Sequence, residues 1–233
     1  MNTPEELALF CEKHLYLEDA KLDEEYYYQS LPLCVIDAVY SIGVRYSSTR
    51  KVVIRFCEKY NLKRIRSSKD VLPKFFEQFS TTSFLEELSK YSYEKLAENI
   101  FKNRQRTSTR NGVLKSEAVI RFAEILQKFG GEYFQNRDNF IGKNEFEREI
   151  RKLPGQKSGI SVRYFYMLAG SNDFIKPDRM INRFIEERTG KKLSISESQE
   201  LIEKTQKILS KEYENLTPRL LDNLIWNFQR NRN

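Results

Sequence analysis

The sequence is poor in everything that usually builds a metal centre or a cross-linked scaffold. Its three cysteines, Cys11, Cys34 and Cys57, are scattered, form no CxxC and cannot all pair. A reduced, intracellular (cytoplasmic) compartment is therefore expected. There is one histidine, His14, with no second histidine or cysteine pair beside it, so neither a metal nor any other cofactor is expected. Nine glycines and six prolines in 233 residues argue against a loop-rich β protein. No apolar run approaches the length of a membrane span, and a membrane partner is not expected. The opening Met-Asn-Thr-Pro-Glu-Glu lacks the basic-then-apolar order of a signal peptide, so none is expected. No internal repeat is evident.

Against these absences stand helical periodicity and positive charge. Hydrophobic residues make up 39% of the chain, enough for a real core, and the net charge of +7 suits a polyanionic partner. Residues 4–14 read as an amphipathic helix with Leu7, Phe10 and Cys11 inward. An acidic stretch from Glu18 to Glu25 leads to Tyr26-Tyr27-Tyr28, whose rings either dock on the core from a helix or stack on nucleic acid. Leu31 to Gly43 is strongly apolar and reads as a buried helix; Ser47-Ser48-Thr49 is expected to cap the next one. Between about 68 and 102 lie three shorter helical patterns with Phe75, Phe76, Phe79, Phe84, Leu85 and Leu88 on the core face. Lys102 to Gly112 is different: it holds four cations, no acid and no apolar residue, and it ends on the Asn-Gly turn signal. It reads as an exposed loop, either a polyanion contact through Arg104, Arg106, Arg110 and Asn111 or a solvated linker. A helix from near Lys115 and another from about 143 follow, then a polar helix over 196–212 and a closing helix over 217–231 capped by Thr217 with Pro218 at its first position.

The most specific stretch is Leu153-Pro-Gly-Gln-Lys-Ser-Gly-Ile, followed by Ile-Lys-Pro-Asp178-Arg-Met-Ile. Leu-Pro-Gly separates two amphipathic helical patterns: Pro154 stops the first helix, and Gly155 permits the positive-φ turn that reverses the chain. Amide groups at such a turn and at the following helix start form a site suited to phosphate. Pro177 fixes φ for the next helix, so Asp178 sits where the macrodipole favours a carboxylate. The bland alternatives are a plain interhelical turn and a plain helix-start acid.

Together these residues resemble the helix-hairpin-helix of the HhH-GPD DNA glycosylases, whose hairpin reads Leu-Pro-Gly-x-Gly and whose catalytic aspartate opens the next helix. The resemblance covers about residues 30–230, but only the hairpin and Asp178 are specific to it. It implies an all-α, two-lobed fold with DNA held between the lobes: a discontinuous lobe of residues 1–30 and 130–233, a barrel lobe of 31–129, and the hairpin 146–168 at their junction. It implies Asp178 as the catalytic carboxylate. Gly155, Gln156, Lys157, Ser158 and Gly159 become phosphate contacts, and the loop carrying Arg104, Arg106, Arg110 and Asn111 approaches the duplex. Tyr40, Ser41 and Trp226 fall near the base pocket, although a tryptophan so placed is more often plain core.

Two departures matter. Lys157 stands where the family has its second hairpin glycine, and Gly159 stands where bifunctional members carry a lysine nucleophile. The last cysteine is Cys57, so the four-cysteine iron–sulfur cluster of some relatives is impossible here. The implied activity is monofunctional hydrolysis of the N-glycosidic bond of a damaged or modified base in double-stranded DNA, by a monomer. The alternatives are a DNA-binding protein that keeps this fold without catalysis, and a helical protein-interaction module.

Overall fold

The computed structural model describes residues 3–232. Its described residues form helices and connecting loops, with two isolated bridges, Tyr28 with Ile65 and Arg106 with Leu114, and no sheet. The fold class is all-α. The helices are α1 (Pro4–His14), α2 (Leu31–Tyr40), α3 (Tyr46–Lys59), α4 (Thr81–Leu88), α5 (Tyr93–Lys95, running into a π-helical turn Leu96–Ile100), α6 (Lys115–Lys128), α7 (Asn144–Lys152), α8 (Ile160–Leu168), α9 (Arg179–Thr189), α10 (Ile195–Leu209) and α11 (Pro218–Arg230). They divide into two compact units, one of Met1–Asp23 with Ser171–Asn233 and one of Glu24–Gly170. The division thus falls at Gly170, and residues 130–170, which the sequence grouped with the ends of the chain, belong to the central unit.

In the central unit α2 is the hub, and all ten of its residues are buried. That follows from its composition, apolar on every side, and α3, α4, α6 and α8 pack around it. Asp37, fully buried in α2, accepts hydrogen bonds from the phenols of Tyr28 (2.8 Å) and Tyr164 (3.4 Å), which offsets the cost of placing a carboxyl in the core. Tyr28 is accordingly core rather than a stacking surface, its phenol pushed well up first by burial and then by Asp37.

Two sequence expectations fail in this unit. Helix α3 begins at Tyr46 behind Arg45, so Ser47, Ser48 and Thr49 lie inside its first turn instead of capping it. Phe75 and Phe76 are 54% and 83% exposed, because the short 3-10 turn that carries them turns Gln78 inward, where its amide holds the Pro73 carbonyl at 2.8 Å.

The terminal unit is four helices, with α1 on α10 and α11 against both α9 and α10. Each start is chemically marked. Thr3 and Glu6 form a capping box ahead of α1, Ser194 and Glu197 do the same for α10, and Thr217 accepts the Leu220 amide at 3.2 Å ahead of α11. His14, exposed at the end of α1, stacks on Phe10 of the same helix with ring centroids 4.2 Å apart.

Candidate functional site

The hairpin is built from two successive turns. The Gln156 amide donates to the Leu153 carbonyl (3.0 Å), closing a turn with Pro154 second and Gly155 third at φ +79°, the arrangement of a type II turn. The Gly159 amide then donates to the Gln156 carbonyl (2.9 Å), and Gly159, at φ +78°, is the N-cap of α8. Among the described residues the amides of Lys157 and Ser158 have no hydrogen-bond partner, and both side chains are exposed. Free amides beside a helix start are groups of the kind that can donate to an anion. Gln156 departs from its expected role as a DNA contact. It is 1% exposed, and its Oε1 accepts from Ser161 Oγ inside the hairpin, so its side chain braces the turn instead of facing solvent.

The basic loop is ordered. The Thr107 amide bonds the Val113 carbonyl, and the Lys115 amide bonds the Gln105 carbonyl, both at 2.9 Å. The result is a two-stranded finger that closes on the positive-φ Asn111. Arg104, Arg106, Arg110 and Asn111 are all exposed on it; Arg104 pairs with Glu98, and Arg106 donates to the Gly112 carbonyl at 2.6 Å.

Finger and hairpin meet, although 48 residues of sequence separate Thr107 from Gly155. A Cβ built on Gly155 would lie 2.4 Å from Thr107 Cβ and 2.6 Å from its Oγ1. On the hairpin's other flank, α7 and α8 form an open groove of about 410 Å³ lined by Asn144, Glu147, Arg148, Arg151, Lys152 and Arg163. Arg151 Nε reaches from it to the Lys157 carbonyl at 3.1 Å. Positive charge is concentrated in this unit: Glu24–Gly170 holds 26 Lys and Arg against 17 Asp and Glu, net +9, whereas the terminal unit holds 14 against 16, net −2.

Tyr40 and Ser41 lie at the end of α2 in the same unit. Tyr40 is fully buried, its ring 5.2 Å from that of Phe101, so the side chain lines no open pocket. Ser41 is half-buried and donates to the Ala38 carbonyl at 3.1 Å.

In the terminal unit Asp178 is half-buried and is the N-cap of α9, its Oδ1 accepting the amides of Met180 (2.8 Å) and Ile181 (3.3 Å). Trp226 is half-buried on α11, with the Arg230 guanidinium 4.6 Å above its ring. The hairpin and Asp178 therefore belong to different units.

Sequence reasoning missed a second carboxyl, Asp222, on α11. It is 5% exposed, and its Oδ1 accepts the Lys176 amide at 2.9 Å. Burial, and after it the charge of Asp178, push the Asp222 carboxyl well above the ordinary carboxylate range; the Lys176 amide and the Lys176 and Arg219 charges act the other way. The signal was there, since an acid bracketed by Leu220, Leu221, Leu224 and Ile225 falls inside an apolar stripe.

Because the fold favours the protonated form of Asp222, its contribution is complete below the unfolded pKa and is lost as pH rises through the folded value. Asp222→Asn keeps an acceptor for the Lys176 amide and removes the charge. Its melting temperature should exceed that of the wild type in mildly alkaline buffer and fall less between mildly acidic and alkaline conditions. Identical pH profiles for the two proteins would show that Asp222 does not titrate in this way.

Residues 5–230 match the family described as Domain of unknown function (DUF8548). The chain belongs to that family. No curated protein and no solved structure matches it. Among the described residues no helix is long and apolar enough to cross a membrane.

Proposed function

We propose that this protein binds double-stranded DNA through the hairpin and the cationic finger, and removes a damaged or modified base by hydrolysing its N-glycosidic bond. The observation that carries the reading is the approach of Gly155 to Thr107, which joins two chemically suited segments on the unit holding the surplus positive charge. Free amides at Lys157 and Ser158 and the guanidinium groups of Arg104 and Arg110 hold phosphates without reading sequence. The target nucleotide leaves the stack, because its sugar is unreachable within a duplex. Cleavage then builds positive charge on the sugar, and the Asp178 carboxylate, fixed by the first turn of α9, stabilises that charge and orients water. Water attacks C1′, the base departs with the bonding electron pair and is protonated, and an abasic site remains.

Binding should be electrostatic. Duplex affinity should fall steeply with salt, and removing one cation that neutralises a phosphate should reduce the slope of log K against log salt by about 0.9. Arg104→Glu and Arg110→Glu should weaken binding to unrelated sequences alike and flatten that slope. Duplex binding that ignores salt, or no binding at all, would favour a protein-interaction module.

A further inference from the structure

Lys115 is the first helical residue of α6 and is fully buried, an unusual position for an ammonium, since a helix N-terminus repels positive charge. The group finds its compensation elsewhere. Its Nζ donates to the carbonyls of Tyr40 (2.9 Å) and Ile42 (2.7 Å) and to Gln105 Oε1 (3.4 Å), and it lies 6.0 Å from the centroid of the Tyr40 ring. The Tyr40 carbonyl belongs to the last turn of α2, where carbonyls have no intrahelical donor and the dipole favours a cation. Gln105 belongs to the finger, and Ile42 to the turn that joins α2 to α3. One ammonium therefore ties the finger that carries Arg104 and Arg110, and the adjoining start of α6, to the end of α2 and the turn after it, which lie 75 and 73 residues from Lys115 at Tyr40 and Ile42.

We infer that Lys115 is the positioning residue of the DNA-binding face, an internal cation that fixes the turn after α2 and the finger at Gln105 to the start of α6. This rests on the DNA reading above and adds a residue that touches no phosphate itself. Being buried, Lys115 contributes through geometry alone, which separates it from the surface arginines. Without the ammonium, the two carbonyls and the Gln105 amide oxygen lose their donor, and the segments bearing them loosen.

The test uses the full chain with Lys115→Met, which keeps most of the stem and removes the charge. In the free protein, amide hydrogen exchange should accelerate about tenfold or more across residues 41–45 and 102–114 while α7 and α8 keep their protection. Duplex affinity should fall by about tenfold or more with the salt slope unchanged, because every phosphate keeps its cation. Gln105→Ala serves as a second variant should Lys115→Met fail to fold; it should loosen the finger and leave residues 41–45 protected. Unaltered exchange in both variants would overturn the strut, and loosened segments with undiminished affinity would overturn its role in positioning the DNA-binding face. A flattened salt slope would instead make Lys115 a direct phosphate ligand. Wild-type protein that binds no duplex would remove the DNA role, and the exchange measurement would still decide whether the strut exists.

Discussion

Asp178→Asn should reduce base release by about 10²–10³ or more, with duplex binding and melting temperature kept. The separation is clean because of what the side chain does in the fold. Its Oδ1 caps α9 by accepting the amides of Met180 and Ile181, and asparagine caps a helix about as well as aspartate. The substitution therefore spares the helix start; it removes the charge that opposes the developing cation and, with it, the lesser of the two causes that raise the Asp222 carboxyl. Binding should survive, since a carboxylate does not attract phosphate. Borohydride should trap no protein–DNA adduct with the wild type: Gly159, where the resemblance to the HhH-GPD glycosylases would put a Schiff-base lysine, is a positive-φ N-cap. A trapped adduct that disappears in Lys157→Ala would show that the exposed Lys157 supplies an amine nucleophile. Base release undiminished in Asp178→Asn would sink the mechanism.

Gly155→Val should abolish most duplex affinity while leaving the helical circular dichroism signal largely intact. Two penalties coincide at this position. The φ of +79° is disfavoured for a β-branched residue, at a cost of about 1–3 kcal/mol. Independently, the new Cβ would meet Thr107 Cβ at 2.4 Å, and its backbone carbonyl oxygen at 3.2 Å, so hairpin and finger must part. A Thr107→Gly change alongside it relieves the side-chain clash and should recover only part of the loss, because the φ penalty remains. Affinity unchanged in Gly155→Val would place the phosphate-binding groups elsewhere.

What the sequence disclosed and what it hid divide along a physical line. Local chemistry was legible: Pro154 and Gly155 mark a turn by their own backbone preferences, Pro177 and Asp178 mark a helix start, and the unbroken apolar run of α2 marks a buried helix. Contacts between distant segments were not. Nothing in residues 102–112 says that Thr107 will lie under Gly155, and nothing local distinguishes Lys115 from a surface lysine at the start of a helix. Side-chain direction was also hidden. Gln156 lies in a polar turn yet points inward to Ser161, and Tyr40 is sealed behind Phe101 and the other core rings instead of lining a pocket. Phe75 and Phe76 misled in the opposite sense, because a 3-10 turn with Gln78 at its inner end leaves the aromatics outside. At the expected boundary near residue 130, Gly130-Gly131 does break the chain between helices, but the break does not interrupt the packing of the unit around it.

The most direct measurement is a screen of wild-type protein against duplexes carrying different damaged or modified bases, scored for abasic sites and repeated with Asp178→Asn. A glycosylase should release at least one base from its duplex, leave an unbroken strand with an abasic site, and lose that activity in the variant. Duplex binding with no base released from any member of a broad lesion panel would contradict the assignment of catalysis and leave a DNA-binding protein of this fold.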